Sequence, residues 1–157
     1  MAQTNKVSSS PHIVPLFING AHVNTGNIHP VVNPVDGKEL WSFVGASVED
    51  ANRAVEAARE AFPAWAATHL NKRSAILTRA AELMAARSDE LKEYMKTETA
   101  ADPTFADFVV GGSIDELKDI ARRAPSIHGT FPPVDDSNRS AIILKEPYGV
   151  VVGIAPW

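Results

Sequence analysis

The 157-residue chain contains no cysteine, and this absence excludes whole classes of chemistry. Without a thiol the chain can form no disulfide, supply no thiolate metal ligand and provide no cysteine nucleophile of its own. The five histidines, at positions 12, 22, 29, 69 and 128, share no spacing that would place a ligand set on one helix face. We therefore expect no metal site and no thiol catalysis from these residues alone.

Long apolar runs and blocks of like charge are also missing. The longest apolar run, Gly149 to Trp157, is far too short to cross a bilayer, and the first ten residues lack the apolar stretch of a signal peptide. The 15 basic residues are scattered against 19 acidic ones, and the longest basic block is Arg122-Arg123. The sequence therefore predicts a soluble, cytoplasmic protein with no nucleic-acid partner and no membrane contact.

What the chain does contain is the pattern of an α/β protein, with 45% hydrophobic residues available for a core. Residues 1–12 are polar and are predicted to be a disordered leader. Asn19-Gly20 lies between two short apolar runs, which is the strongest local signal for an antiparallel hairpin. A second strand pair is predicted on either side of Asp36-Gly37, with its return strand over Glu39 to Val44.

Two amphipathic helices are predicted after this ribbon. Ser47 is a suitable N-cap for the first helix, and Pro63 is expected to end or distort it. Its apolar residues recur at helical spacing and are expected to face the core: Ala51, Ala54, Val55, Ala58, Phe62 and Trp65. The second helix is expected to run from about Asn71 past Leu91 with one buried face.

The last third of the sequence carries weaker signals. Gly111-Gly112 interrupts a helical pattern over 105–124, so we expect two short helices or a bend. A loop containing Asp135-Asp136 follows, and these carboxylates are better explained as solvated turn residues than as a catalytic pair. Strands are predicted over Ser140 to Lys145 and over Tyr148 to Ile154.

The final twelve residues, Glu146-Pro147-Tyr148-Gly149-Val150-Val151-Val152-Gly153-Ile154-Ala155-Pro156-Trp157, carry a family resemblance. They resemble the Glu-Pro-x-Gly-Val-Val-x-x-Ile-x-Pro-Trp-Asn signature of the aldehyde dehydrogenase superfamily, and the match ends before the Asn. Further similar segments occur in the family's order at Phe17 to Gly20, Asn33 to Gly37, Ala46 to Ala51 and Ala58 to Trp65. Details such as Tyr94-Met95, Glu98-Thr99, His128-Gly129-Thr130 and Tyr148 look most like the salicylaldehyde and aromatic-aldehyde branch.

The resemblance implies a domain plan. Residues 13–139 would be the N-terminal ribbon and helical part of the cofactor domain, and 140–147 would be a bridging strand through which the enzyme forms a homo-oligomer. Residues 148–157 would begin a Rossmann-like sheet that is incomplete here. NAD or NADP would be the cofactor, contacted by Ile154, Ala155, Pro156 and Trp157. The alternative is that these four are only buried strand residues, since no complete Gly-x-Gly-x-x-Gly turn is present.

The implied function is the N-terminal portion of an NAD(P)-dependent aldehyde dehydrogenase that oxidises an aldehyde, of the aromatic class, to its carboxylic acid. No catalytic residue is predicted within the chain, because the family's Cys nucleophile, Glu base and oxyanion-binding Asn would all follow Trp157. The isolated chain is therefore predicted to be inactive. The alternative is a short non-catalytic protein that binds or regulates a full-length aldehyde dehydrogenase.

One departure from the family pattern has a physical consequence. Glu98-Thr99 is followed by Ala100, where the family usually has glycine. If this position adopts a left-handed C-cap conformation, alanine costs about 1 kcal/mol there.

Overall fold

The computed structural model describes residues 12–135 and 138–155, so nearly all of the predicted leader lies outside the described residues. The structure combines helices with small sheets, which confirms the α/β class, and the strands come before the helices. The strands are β1 (Ile13–Val14), β2 (Leu16–Ile18), β3 (Ala21–Val23), β4 (Ile28–Val32) and β5 (Glu39–Val44). The helices are α1 (Val48–Ala66), α2 (Leu70–Ala86), α3 (Ser88–Thr99) and α4 (Pro103–Arg123), and one 3-10 turn (Ala124–Ser126) ends the helical part.

Both predicted strand pairs are confirmed. β2 and β3 form an antiparallel hairpin in which Phe17 faces His22, and Asn19 and Gly20 both have the positive φ that a two-residue turn requires, 51° and 76°. β4 pairs antiparallel with β5. β1, which the sequence did not predict, adds in parallel on the other edge of β5, giving the strand order β1-β5-β4.

α1 begins where its cap predicts. The Ser47 hydroxyl accepts a hydrogen bond from the Asp50 N–H at 3.1 Å, and the Asp50 carboxylate accepts one from the Ser47 N–H at 3.0 Å. This reciprocal pair is a capping box, and it satisfies two amides that the first turn would otherwise leave unpaired. Pro63 lies within the last turn, and the helix ends three residues after it at Ala66.

The expectation that the apolar stripe of α1 is buried is wrong. Val55 is 52% exposed and Trp65 is 45% exposed, while Phe62 is only half-buried. The described elements that reach this face are the β2–β3 hairpin and the segment around Val150, and both leave it open. Trp65 is therefore a surface side chain in this structure and not a core residue.

The predicted single helix after Asn71 is in fact two helices. The backbone leaves helical geometry at Arg87, with φ −109° and ψ 16°, and α3 starts at Ser88. The change of direction allows the Tyr94 ring to meet the Trp41 ring of β5 edge-on, with their centroids 5.5 Å apart. At the end of α3, Ala100 has φ 55° and ψ 30°, so the left-handed cap expected there is confirmed.

The predicted interruption at Gly111-Gly112 is also wrong, because α4 is continuous over 21 residues. Two interior glycines cost about 2 kcal/mol relative to alanine. The buried face of α4 includes Val110 and Ile114, and burying two such side chains stabilises by about 3 kcal/mol or more. Tertiary packing therefore outweighs the local preference for a break.

The best-packed part of the molecule is the contact of α4 with α2 and α3. Ala81 and Ala106 are fully buried there, and the Ser74 hydroxyl donates to the Ala121 carbonyl oxygen at 2.7 Å, tying α2 to α4. Lys92 of α3 pairs with Asp107 of α4 at 2.7 Å. Among the described residues, no large side chain is fully buried, so this core is built mainly from small side chains.

The two C-terminal strands predicted from the sequence do not form. Between residues 138 and 155 the only β-pairing described is one antiparallel bridge, in which Thr130 and Ile143 exchange N–H···O bonds of 3.0 Å and 2.9 Å. An apolar segment becomes a strand only when neighbouring strands satisfy its backbone groups. The described residues offer this segment one such neighbour, at Thr130. The division of the chain at residues 139 and 147 stays a prediction.

Candidate functional site

The segment that leads to the predicted cofactor residues meets the exposed face of α1 at Gly149, Val150 and Val151. It turns at Gly149, whose φ of +100° is a conformation that side-chain-bearing residues rarely adopt. Beyond this turn the segment and the helix border an open groove of about 270 Å³. Its lining is almost wholly apolar and comprises Ala58, Ala61, Phe62, Trp65, Gly149, Val150 and Val151.

The predicted cofactor residues divide into two groups. Ile154 is 93% exposed and Ala155 is also exposed, so the interpretation of these two as buried strand residues is wrong. Pro156 and Trp157 lie outside the described residues. The structure therefore brings no complete site together, and the cofactor contacts of all four residues stay a prediction.

The described residues do not form a whole dinucleotide site. A dinucleotide is held by an apolar cleft, by backbone amides at a glycine turn and by a helix N-terminus under the pyrophosphate. Residues 152–155 are exposed, with the apolar side chains of Val152 and Ile154 largely open to solvent, and none of these residues takes part in strand pairing. No Gly-x-Gly-x-x-Gly turn occurs in the sequence, so these residues supply no phosphate-binding turn of that kind.

A second groove, of about 490 Å³, lies at the start of α2. Arg73 forms part of its wall, with its Nε donating to the Thr68 carbonyl oxygen at 3.0 Å and its guanidinium carbon 5.9 Å from the centre of the Trp65 ring. The opposite wall includes His128, Lys145 and other residues from the region around the Thr130–Ile143 bridge. Sequence periodicity could not find this groove, because it joins segments that are far apart in the chain.

Gly129 sets how closely the two sides of the bridge approach. A Cβ built on Gly129 would overlap the carbonyl oxygen of Ile143, which belongs to the backbone and cannot rotate away. Glycine at this position therefore permits the bridge to form. In the sequence the His128-Gly129-Thr130 pattern indicates only a branch resemblance, and the close approach of Ile143 gives a physical reason for the glycine.

A cluster of charged and polar side chains at the start of α3 has a structural role. Arg87 donates to both oxygens of Glu90 at 2.8 Å, and the Tyr94 hydroxyl donates to one of them at 2.8 Å. These bonds lower the pKa of Glu90 to about 2, and the same Glu90 bond raises the pKa of Tyr94. The cluster is exposed and fixes Tyr94 against Trp41, and it does not border either groove.

Other candidates add little. Asp135 is an exposed residue at a bend, and its predicted neighbour in the turn, Asp136, lies outside the described residues. Across residues 12–135 and 138–155, no group of three or more potential metal-ligating side chains converges. Within the same residues, every helix is too short or too polar to cross a membrane.

Comparison with known proteins decides the family. The aldehyde dehydrogenase family model matches residues 22–157, which is well over half of the chain. The chain belongs to the aldehyde dehydrogenase family. A vanillin dehydrogenase from Pseudomonas fluorescens is 39% identical over 146 residues, covering 92% of this chain and 30% of that protein. A salicylaldehyde dehydrogenase from Pseudomonas putida is 30% identical over 144 residues, covering 90% of this chain and 30% of that protein.

Solved structures of family members share the fold. The salicylaldehyde dehydrogenase from Pseudomonas putida G7, complexed with salicylaldehyde, matches with a TM-score of 0.79 and 28% identity, over 86% of this chain and 28% of that one. An NAD-dependent benzaldehyde dehydrogenase from Corynebacterium glutamicum matches with a TM-score of 0.71 and 29% identity, over 79% of this chain and 27% of that one. The predicted resemblance to the aromatic-aldehyde branch is thus confirmed by the names of these relatives. The chain spans about 30% of the length of the relatives it matches and corresponds to their N-terminal part.

Proposed function

We propose that the chain acts as the N-terminal portion of an NAD(P)-dependent aldehyde dehydrogenase that oxidises an aromatic aldehyde to its carboxylic acid. The observation that carries this proposal is the 39% identity to a vanillin dehydrogenase across 92% of the chain. The salicylaldehyde and benzaldehyde dehydrogenases among its structural neighbours support the aromatic class. A cytoplasmic location is part of the proposal.

Within that enzyme these residues would build the edge of the cofactor site and would not perform the chemistry. The nicotinamide of a bound NAD or NADP supplies the hydride acceptor. Ile154, Ala155, Pro156 and Trp157 would contact it through backbone and apolar surface, which the exposure of the first two supports. With no cysteine in its sequence, the 157-residue chain by itself should oxidise no aldehyde.

A chimaera tests this function. The chain replaces the matching N-terminal 30% of the Pseudomonas fluorescens vanillin dehydrogenase, and formation of reduced nicotinamide is followed with vanillin and either NAD or NADP. The proposal expects aldehyde-dependent turnover by the chimaera and none by the isolated chain. A folded chimaera without turnover would contradict it.

Two substitutions in the chimaera test the cofactor contact. Ile154→Asp places a negative charge where an anionic dinucleotide is expected, and it should raise KM for the cofactor about tenfold, since each factor of ten corresponds to about 1.4 kcal/mol. Val35→Asp is the matched control, because Val35 is an exposed apolar residue in the β4–β5 turn. An equal effect of both substitutions would contradict a role for Ile154.

We propose further that the enzyme is a homo-oligomer that pairs through residues 140–147. Ile142 and Leu144 are exposed there, and in the described structure the backbone of this segment pairs only at Ile143. Unpaired apolar segments of this kind favour strand addition. Sedimentation of the chimaera should show an oligomer that Ile142→Asp dissociates, and an unchanged mass for that variant would contradict this interface.

A second candidate function has one observation in its favour. The apolar stripe of α1 and most of the residues 141–154 are open in the described structure, as expected of a short protein that binds a full-length aldehyde dehydrogenase without catalysis. Adding the isolated chain to the intact vanillin dehydrogenase distinguishes the two functions. A stable complex or altered turnover would favour the binding function, and no effect would favour the enzyme portion.

A further inference from the structure

The turn of the β2–β3 hairpin carries a chemically reactive pair of residues. Of the eight asparagines in the sequence, Asn19 is the one that a glycine follows. A backbone amide nitrogen can attack the side-chain carbonyl carbon of a preceding asparagine, and glycine hinders this attack least because it has no Cβ. Asparagine is among the thermolabile residues of proteins. The sequence therefore singles out Asn19-Gly20 as a site for this reaction.

Neither reacting group is engaged elsewhere in the described structure. Asn19 and Gly20 are both exposed, and within residues 12–135 and 138–155 the Asn19 carboxamide has no hydrogen-bond partner. The Gly20 N–H donates to no backbone carbonyl oxygen of those residues, and a Cβ built on Gly20 would meet no described atom within 4 Å. Because the two groups belong to adjacent residues, their approach to each other does not depend on what covers the rest of the chain.

Two similar positions in the next turn each lack a requirement of the reaction. Asn33 is followed by Pro34, whose nitrogen carries no hydrogen that it could lose. Asp36 precedes Gly37, but its carboxylate accepts hydrogen bonds from the N–H and the Nζ of Lys38 at 3.1 Å and 2.8 Å. These bonds lower the pKa of Asp36, and an ionised carboxylate resists attack by a nucleophile. Asn19 is therefore the more reactive position.

The hairpin limits how often the pair at its turn can react. Asn19 and Gly20 have φ values of 51° and 76°, and the strand pairs beside them hold this two-residue turn closed. The hairpin has three residue pairs and forms a sheet of its own, and isolated two-stranded ribbons are marginally stable. Across the strands, the Phe17 and His22 rings meet edge-on with their centroids 5.5 Å apart. Brief opening of the hairpin therefore frees the Asn19 backbone to rotate into a reactive geometry.

We propose that Asn19 is a site of spontaneous deamidation and that opening of the β2–β3 hairpin controls its rate. The Gly20 nitrogen forms a bond to Cγ of Asn19, the Cγ–Nδ2 bond breaks, and the amide proton of Gly20 leaves with Nδ2 as ammonia. Water then opens the resulting succinimide ring, giving its hydroxyl to a carbonyl carbon and a proton to the nitrogen. Cleavage of the new Cγ–N bond gives aspartate, and cleavage of the original peptide bond gives isoaspartate. The proposal is independent of the catalytic function proposed above.

The two products affect the hairpin differently. Asp-Gly also suits a two-residue turn, so aspartate at this position leaves the pairing of β2 with β3 intact. Isoaspartate adds a methylene group to the main chain, and strands joined by a two-residue turn lose their register when the connection lengthens. Each product adds one negative charge to a chain whose formal net charge is −4. Deamidation therefore marks older molecules by their charge, and the isoaspartate product also loses the hairpin.

The test is incubation of the purified 157-residue chain at neutral and at mildly alkaline pH. Ion exchange separates the products over time, and peptide mapping by mass spectrometry, with fragmentation that distinguishes isoaspartate from aspartate, assigns them. Asn19 should react before the other asparagines, which are internal controls. The reaction should be faster at the higher pH, because the attacking nitrogen must lose its proton. In NMR spectra the amides of Leu16–Ile18 and Ala21–Val23 should lose strand pairing in the isoaspartate fraction and keep it in the Asn19→Asp variant.

Two matched variants test the control by the hairpin. Phe17→Ala removes one ring of the cross-strand pair, which should raise the opened fraction, and with it the rate of deamidation at Asn19, by up to about fivefold. Phe131→Ala is the control, because Phe131 and Phe17 are both 69% exposed but Phe131 lies outside the hairpin. The rate at Asn19 should not change in that variant.

Several outcomes would overturn the proposal. Earlier reaction at another asparagine, or no reaction at Asn19 in the native chain while the chain unfolded in urea reacts, would mean that this turn is not the site. Equal rates in wild type and Phe17→Ala, or an equal increase in Phe131→Ala, would contradict control by the hairpin. An isoaspartate fraction that retains the strand pairing would contradict the loss of the hairpin.

Discussion

Replacing Ala100 with glycine should stabilise the protein, although most glycine substitutions destabilise. Ala100 ends α3 in the left-handed region, with φ 55° and ψ 30°, where a Cβ is crowded by the neighbouring carbonyl group. That conformation costs alanine about 1–2 kcal/mol. Glycine removes this strain, but its greater backbone freedom stabilises the unfolded chain by about 0.4–1 kcal/mol. The balance is a gain of about 0.5–1 kcal/mol for Ala100→Gly.

Urea denaturation followed by circular dichroism measures this gain. For an m-value of about 2 kcal/mol/M, the midpoint of the Ala100→Gly variant should rise by about 0.3–0.5 M. Ala101→Gly is the matched control, because Ala101 is the next residue and does not have a positive φ. It adds the same entropy to the unfolded state without relieving strain, so its midpoint should fall. A fall of similar size in both variants would refute the strain at Ala100.

Three further substitutions test other parts of the fold, by urea denaturation or by amide exchange. Gly112→Ala should raise the free energy of unfolding by about 0.5–1 kcal/mol, because Gly112 is exposed within α4 and an added Cβ meets nothing within 4 Å. A lower free energy of unfolding in this variant would contradict the description of α4 as continuous. Gly129→Ala should remove the Thr130–Ile143 bridge, so the amide hydrogens of Thr130 and Ile143 should exchange with solvent faster. Gly153→Ala is the control: its Cβ would meet no neighbour, and the exchange rates of those two amides should not change. Ser47→Ala should cost about 1 kcal/mol through loss of the α1 cap. The cap also lowers the pKa of Asp50, mainly through the hydrogen bond from the Ser47 backbone N–H. The stability that this bond contributes is present above the pKa of Asp50 in the unfolded chain, and it is lost as the pH falls through the pKa of Asp50 in the folded protein. Asp50→Asn removes the titrating carboxylate, so the same acid dependence in wild type and Asp50→Asn would contradict this linkage.

Features that depend on a few adjacent residues could be predicted from the sequence. The hairpin at Asn19-Gly20 and the cap at Ser47 are decided by the backbone preferences of those residues, and the structure has both. The left-handed conformation of Ala100 could also be predicted, because a position that is normally glycine in the family indicates an unusual φ. These signals are local, so the rest of the fold does not alter them.

Features that depend on packing could not be predicted in this way. Helical periodicity is the same on both sides of Arg87, so the break between α2 and α3 leaves no sequence signal. Two glycines in α4 indicated a break that the burial of Val110 and Ile114 overrides. The stripe of α1 was expected to be buried because it is apolar, but periodicity shows which residues share a face and not whether another element covers it.

The candidate site was predictable only in part. The terminal signature led to the family and to Ile154 and Ala155, which the structure shows to be exposed. The strands expected around them did not form, since strand formation depends on neighbours and the sequence pattern contains no information on whether those neighbours are present. The groove between Arg73 and Lys145 arises from residues distant in the chain, and charge counts along the sequence could not reveal it.

The central claim is that these residues serve as the N-terminal portion of an aldehyde dehydrogenase. The most direct test is the intact mass of the native product from its source cells, captured with an antibody against residues 47–65, which comprise the N-cap and nearly all of α1. The claim predicts a species much heavier than 16.9 kDa, since the related enzymes are about three times as long as the matched region. A single species at 16.9 kDa would contradict it and favour a short protein that acts by binding.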